Sequence, residues 1–438
     1  MSDYMFKLDS HLSGEQTRAV AAVRDAAEAE TLNLFLTGGA MRDMMGGFSI
    51  RDLDFTVEGP AIKFAKALAG KTGAEVLSVD DLRKTVEMRF SGNVLASISM
   101  ARQEKYPKPA AKPHIQPAAI HDDLRCRDFT VNAIALSLGK ASRGLLLDPT
   151  NGLGDLEHKE LRAISNYTLY DDPIRLLRLI RLRTRLNFTV NERTMNQYAN
   201  VREAKLETRI APAALESELH QIGLDLHSGD ILKALEEEDL LYVISPALTG
   251  PKLNLAGFAK LQKAMSSLPS GLDLPINHYA LFLALLLEKL SPRERTQLVS
   301  TLGIDKTEVD AALKLETRAG KFERELAAAK LNKPSVSYAM LSKVPGEVLL
   351  YALMRSKERI VLDRIKNYFG KYLPTAQEVT EREVIDKGGE PGTPKFTKLQ
   401  QQLIAARLDA RPKKVVVEAP PPPPPPGPGR RSISSFGR

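Results

Sequence analysis

The sequence predicts an α+β protein, a head of mixed strands and helices followed by an all-helical remainder. Three observations carry this. Between residues 34 and 100, short apolar or alternating runs of strand length are interleaved with a helical stretch. After residue 156 the apolar spacing is helical, with short breaks. The segment Gly38-Gly-Ala-Met-Arg-Asp43, then Asp52-Leu-Asp54, sets turn chemistry and paired carboxylates beside the first strands.

The elements follow in order. Residues 1–30 read as helical, Ala-rich from 14. Residues 34–36 form a strand, after which Gly38 and Gly39 let the backbone approach a phosphate with no Cβ in the way. Arg42 supplies a cation for that phosphate. Residues 50–57 alternate, so Asp52 and Asp54 share one face of a strand while Leu53, Phe55 and Val57 enter the core. Side-by-side carboxylates are costly without a cation, and hard oxygen donors suit Mg²⁺. Alone, Asp-x-Asp also fits a solvated strand edge. Residues 61–72 read as an amphipathic helix, and 85–90 and 94–100 as further strands. The Pro-rich stretch 105–117 reads as a mobile loop, either touching substrate or merely connecting.

Helices are expected over 214–226, 231–241, 258–265, 279–290, 292–302, 306–329 and 347–373. Residues 374–395 read as a charged linker, 396–408 as one short helix, and the proline run 420–426 as polyproline II leading into disorder. That tail could dock on a proline-reading domain or RNA, or simply solubilise the chain.

The residues at 38–54 resemble the head of the class II bacterial tRNA nucleotidyltransferase and poly(A) polymerase family, whose members add CCA, or part of it, to tRNA 3′ ends. Three further segments resemble the family in its order. In Asp123-Leu-Arg-Cys-Arg-Asp-Phe-Thr-Val-Asn-Ala133, the resemblance implies that Arg127 contacts the triphosphate and Asn132 bonds ribose or a main-chain group. Asp128 is read as structural, bonding amides at a helix start. Asp148-Pro-Thr-Asn-Gly-Leu-Gly-Asp155 is a turn leaving the head. In Asp171-Asp-Pro-Ile-Arg-Leu-Leu-Arg-Leu-Ile-Arg181, Asp172 is expected to cap a helix with Pro173 at its first position. Arg175, Arg178 and Arg181 form a stripe on that helix. The family likeness implies that Asp172 and Arg175 read the edge of an incoming C or A. It also implies that Arg178 and Arg181 face phosphates.

The implied fold is a polymerase-β-like nucleotidyltransferase head at 1–156. A helical neck follows at 157–215, a helical RNA-binding body and tail at 216–373, and a disordered Pro-rich tail at 374–438. The implied catalytic and metal residues are Asp52 and Asp54, with Mg²⁺ as cofactor. Gly38, Gly39, Arg42, Arg127, Asn132, Asp172, Arg175, Arg178 and Arg181 are the implied nucleotide-binding residues. The implied partners are tRNA or another RNA 3′ end, with ATP and CTP as substrates. CCA, A-only, CC-only and poly(A) addition share all these motifs.

One position departs from the family. An acidic residue is expected five positions before Arg102, where this chain has Ser97. A serine neither binds Mg²⁺ comparably nor acts as a base near neutral pH. Two aspartates suffice, or a neighbour such as Glu87 substitutes, or the chain is a weakly active RNA- and nucleotide-binding member of the fold.

Bulk properties agree with a polyanionic partner: 438 residues, net charge +8 and pI near 9.3. With no Trp, a broad base-stacking surface is not expected. One cysteine excludes an internal disulfide and suits a reducing cytoplasm. Residues 1–16 are polar and resemble no signal peptide, and the apolar run 279–287 is too short to cross a bilayer. The only His-Asp pair, His121-Asp122, lies inside the head, so no phosphohydrolase activity is expected.

Overall fold

The computed structural model describes residues 3–269 and 274–410. Helices α1 (Asp3–His11) and α2 (Gly14–Ala29) open the chain. A capping box starts the second: Ser13 Oγ accepts from the Gln16 amide, and the Gln16 side chain accepts from the Ser13 amide. Strand β1 (Asn33–Thr37) runs directly into α3 (Gly38–Gly46). The head continues with β2 (Leu53–Glu58), α4 (Ala61–Thr72), β3 (Glu75–Asp80), β4 (Thr85–Phe90) and β5 (Val94–Met100). Then come β6 (Arg102–Lys105), β7 (His114–Pro117), α5 (Ile120–Arg125), β8 (Ala135–Ser137), β9 (Leu146–Leu147) and α6 (Gly152–Glu157).

Seven strands form one sheet in the order β3-β4-β5-β2-β1-β8-β9. β2 is antiparallel to β1 and parallel to β5, so the sheet is mixed as expected. Phe55, Val57, Val86, Met88 and Ile98 leave one face and pack with Phe64 and Leu68 of α4. Alternation sends Asp54, Ser97 and Glu87 to the other face, where the register pairs Asp54 with Ser97 and Ser97 with Glu87. The second strand starts at Leu53, not at residue 50, so Asp52 lies in the bend before it.

The expected mobile loop at 105–117 is corrected. β6 and β7 pair from Arg102↔Pro117 to Lys105↔His114 as a hairpin. Pro107, Pro109 and Pro113 fall in its connection and Pro117 at a strand end, positions where a missing N–H costs little.

Beyond the head come β10 (Glu160–Leu161), α7 (Thr168–Asp171), α8 (Ile174–Leu186), β11 (Thr189–Val190), α9 (Glu192–Glu203) and α10 (Pro212–Gly223). Asp172 does not cap α8. Its backbone is extended (φ −134°, ψ 93°), and the expected cap gives way to an ionic contact described below. The helices α11 (Ser228–Glu237), α12 (Leu255–Ser266), α13 (His278–Leu287), α14 (Pro292–Leu302) and α15 (Lys306–Ala328) follow the expected spacing. α16 (Pro334–Leu341) was not expected, and the expected helix 347–373 breaks after α17 (Gly346–Arg355) before α18 (Arg359–Asn367).

The linker expected at 374–395 and the disorder expected before residue 410 are corrected, while the short helix expected at 396–408 is present. α19 (Leu373–Gln377), α20 (Glu381–Asp386) and α21 (Pro394–Asp409) bury Ala376, Val379, Val384 and Ile404 in a small core of their own. Sparse apolar positions among charges hid it. The proline run lies outside the described residues.

The main apolar core is continuous from Leu8 through the head sheet and the Leu176–Leu177 side of α8 to Phe282 and Ala312. A second core gathers residues 315 to 373, together with Ala264 and Leu281. Among the described residues no helix is long and apolar enough to cross a membrane.

Candidate active site

The turn from β1 into α3 is tight because Gly38 takes φ +63°, a left-handed conformation that glycine adopts without penalty. A Cβ there would stand 3.1 Å from Asp54 Oδ2 and 3.2 Å from an Arg127 Nη. A Cβ at Gly39 would meet the same Asp54 oxygen at 3.1 Å and an Arg42 Nη at 3.4 Å. The glycine pair therefore sits where a carboxylate and two guanidiniums meet.

Asp54 accepts from Ser97 Oγ at 3.1 Å and from the Ala40 amide at 3.3 Å. Burial, then the nearby Asp52 charge, raise its pKa above the ordinary range. Asp52 is paired with Arg51 Nε at 2.8 Å. Glu87 has no hydrogen bond or ion pair among the described residues. Although open to solvent along the sheet face, it is pushed up to about 7, first by loss of surrounding water and then by Asp54 and Asp52.

Arg127 is fixed by Asp123 (2.8 Å) and by the hydroxyls of Thr37 and Thr56, at 3.2 and 3.0 Å. It keeps partial exposure, with 21% of its side chain open, beside Gly38. Arg42 is buried. Its guanidinium is taken by Asp43 (2.8 Å) and by the Asn132 amide oxygen (2.8 Å), and burial lowers its pKa despite Asp43. Asn132 in turn donates to Asp128 Oδ1 at 2.9 Å. Asp128 also accepts from the Phe129 amide (2.7 Å) at the start of a 3₁₀ turn, the structural role expected of it.

Residues 34–162 match the poly(A) polymerase head domain. An A-adding tRNA nucleotidyltransferase of Halalkalibacterium halodurans is 33% identical over 243 residues, 55% of this chain and 56% of that one. A CC-adding tRNA nucleotidyltransferase of Deinococcus radiodurans is 37% identical over 181 residues, 40% of this chain and 48% of the relative. Over these residues the chain is similar to the poly(A) polymerase head domain and to tRNA nucleotidyltransferases. It spans about half the length of the curated relatives it matches. A solved tRNA nucleotidyltransferase complexed with a primer tRNA and an incoming ATP analog is 25% identical. It covers 82% of this chain and all of the other, with a TM-score of 0.50.

Nucleotidyltransferases of this family use divalent metal ions. The donors at hand fit such an ion. Asp52 and Asp54 are hard oxygen ligands, and Asp54 is raised first by burial and then by the neighbouring Asp52 charge, a pairing that a bound cation would relieve. Among the described residues, however, no group of three or more His, Cys, Asp and Glu side chains stands ready to hold a metal. The position where the resemblance implies a further acidic residue holds Ser97.

Asp172 and Arg175, expected from the resemblance to read the base, lie at the N-terminal end of α8. The Asp172 carboxylate accepts from Arg83 at 3.4 Å. Arg175 is buried, donating to the carbonyls of Thr168 (3.2 Å) and Cys126 (3.4 Å), while its Nε is unpartnered. Glu104 lies 4.0 Å from both Arg83 and Arg175 and accepts from Tyr106 Oη. The hairpin residues Glu104 and Tyr106 and the β3–β4 turn residue Arg83 therefore frame Asp172 and Arg175, a setting that sequence reasoning missed.

Arg181 is buried and faces no open space for a phosphate, which corrects that expectation, while Arg178 keeps 35% of its side chain open but is already ion-paired. Both bind Glu218 of α10, at 3.2 and 2.6 Å, and Arg178 also binds Asp128 at 2.9 Å. Burial opposes charge on Glu218, but Arg181 and Arg178 outweigh it and hold its pKa below the usual value. The missed partner, Glu218, sits on an otherwise apolar helix face. A charge on such a face is the signal that could have found it.

Proposed function

We propose that this chain is a template-independent nucleotidyltransferase that adds C, A or both to tRNA 3′ ends from CTP and ATP, releasing pyrophosphate. The observation that carries the reading is the convergence of Gly38, Gly39, Asp54 and Arg127 at the N-terminus of α3. Backbone amides, a carboxylate and a partly exposed guanidinium meet there, as a metal-bound triphosphate requires.

In this reading Asp52 and Asp54 hold Mg²⁺. Bound Mg²⁺ neutralises the triphosphate and favours in-line attack by the primer 3′-hydroxyl on the α-phosphate. Arg127 donates to the triphosphate, held in direction by Asp123 and two threonines. Arg42 acts from beneath by fixing Asn132. Asp172 accepts from the exocyclic amine of C or A, and Arg175 donates to the ring edge once the base replaces the contacts seen here. Arg178 and Arg181 position α8 through Asp128 and Glu218.

Residues 1–156 are assigned to the head, 157–215 to the neck, and 216–373 to an RNA-gripping body and tail, to which α19–α21 are added. The lone free cysteine, Cys126, suits the cytoplasm.

The test offers purified protein and Mg²⁺ to tRNAs ending at the discriminator base, at C and at CC, with each labelled nucleotide singly and then CTP with ATP. Ordered addition stopping at CCA, CC or A identifies the subclass, and long A tails identify a poly(A) polymerase. Ser97 favours a second reading, a nucleotide- and RNA-binding protein with little transfer. No incorporation with ATP or CTP still bound would establish it.

A further inference from the structure

The hairpin of β6 and β7 meets the start of α8 at its tip and along its first strand. In its connection Pro107, Lys108 and Pro109 are exposed, but Ala110 is half-buried and its amide donates to the Tyr170 carbonyl at 3.0 Å. Ala110 sits at φ +57°, a left-handed backbone that persists in an alanine only where its surroundings impose it. Tyr170 is two residues before Asp172, which lies outside any helix and is set by the ties around it.

On the first strand Glu104 keeps only 7% of its side chain open. Its Oε1 accepts from Arg102 Nε and its Oε2 from Tyr106 Oη, both at 2.9 Å. Burial opposes its charge, but Arg102, with the hydrogen bonds from Arg102 and Tyr106, outweighs burial and holds the carboxyl below its usual range. Glu104 Oε2 lies 4.0 Å from Arg175 Nη2, and among the described residues no other carboxylate is ion-paired with that buried guanidinium. The Nε of Arg175, buried and unpartnered, is the donor left over for a base edge. At the root of the hairpin the Arg102 amide donates to Asp123 Oδ1 at 3.1 Å, while Asp123 Oδ2 holds Arg127. One carboxylate thus ties the hairpin to the arginine assigned to the triphosphate.

We infer that this hairpin is a selectivity element. Glu104 and Ala110 are positioning residues that hold Arg175 and Asp172 at a fixed setting from Arg127, so that only a nucleotide carrying the amine-bearing edge of C or A engages both ends at once. The inference deepens the nucleotidyltransferase reading and rests on its assignment of Asp172 and Arg175 to the base.

The test titrates full-length wild type, Glu104→Gln, Ala110→Pro, Ala110→Gly and Asp172→Asn by isothermal titration calorimetry in Mg²⁺. The ligands are ATP, CTP, UTP, GTP and inorganic tripolyphosphate, and competition incorporation into tRNA is measured alongside. Glu104→Gln keeps the shape and removes the charge beside Arg175. Ala110→Pro deletes the amide hydrogen and forbids φ +57°. In each, the affinity ratio of ATP and CTP over UTP and GTP should fall about tenfold. Tripolyphosphate should bind as in wild type, because Arg127 keeps Asp123. Ala110→Gly keeps the amide and accepts the left-handed backbone, so its ratio should match wild type. Should Ala110→Pro not fold, Glu104→Gln decides alone.

An unchanged ratio in Glu104→Gln and Ala110→Pro, with a reduced one in Asp172→Asn, would overturn the inference and leave the functional reading intact. An equal loss for tripolyphosphate and ATP would overturn it too, since the hairpin would then support the whole fold and not the choice of base. If wild type binds all four nucleotides alike, the base readers and the inference fall together. If it binds selectively but transfers nothing, the transfer reading fails, and the affinity ratios still decide the role of the hairpin.

Discussion

Replacing Glu218 by Gln tests whether the arginines of α8 serve the fold. Glu218 is almost fully buried, with 1% of its side chain exposed, and accepts from Arg181 Nε at 2.6 Å and Arg178 Nε at 3.2 Å. At an effective dielectric constant of about 20, each contact is worth roughly 5 kcal/mol before desolvation is subtracted. In the variant Arg178 keeps Asp128, whereas Arg181, 8% exposed, is left buried without a carboxylate. Breaking one side of a buried pair costs about 3–5 kcal/mol, and the lower end applies because Gln can still accept a hydrogen bond. The expected fall in Tm by differential scanning calorimetry at pH 7 is roughly 5–8 °C. The pH dependence has a definite sign. The folded pKa of Glu218 lies below its ordinary value, so its contribution is present above the ordinary glutamate pKa, about 4.3. It is lost as pH falls through the depressed folded value. The gap between wild type and variant should therefore be full at neutral pH and close in acid. A loss under about 1 kcal/mol at pH 7, or a gap that persists in acid, would refute the assignment.

Asp54→Asn should abolish transfer in the tRNA assay, losing at least roughly 10³-fold as several kcal/mol of charge stabilisation disappear. The same variant should melt above wild type in EDTA at pH 8. The raised folded pKa of Asp54 means that its stability contribution belongs to the neutral form and is lost as pH rises, so the advantage should vanish in acid. Gly38→Ala puts a Cβ at φ +63° and 3.1 Å from Asp54 Oδ2, costing about 1–2 kcal/mol of backbone strain. Calorimetric ATP affinity should fall, and unchanged binding would remove this turn from the site. Asp172→Asn adds a donor beside the incoming base, so discrimination of C and A against U and G should fall by about 1–3 kcal/mol in competition incorporation.

Much of the head was legible because strands announce themselves locally. The alternation around Phe55 and Ile98 fixes which face is apolar, and the glycine pair at 38–39 signals a turn that side chains cannot make. The misreadings around the site involve partners remote in sequence. An arginine stripe on α8 looks free until Glu218 arrives 37 to 40 residues later. Arg42 looked ready for a phosphate, yet Asn132 claims it from 90 positions away. Prolines at 107, 109 and 113 argue against a strand locally, and only the pairing of β6 with β7 shows that they occupy the connection. Glu87 was visible as one option, but its place in line with Ser97 and Asp54 depends on a sheet register that no local pattern encodes.

The uninterrupted core from Leu8 to Ala312 sets how this chain can be taken apart. Leu136, Leu138 and Phe129 of the head share one continuous core with Leu169, Ile174 and Leu176, so excising the head at residue 156 would cut through that core. The head is thus no interchangeable cassette. Any graft that exchanges heads between relatives must carry α8 and α10 along with the sheet, or the start of α8 is left with no floor beneath it.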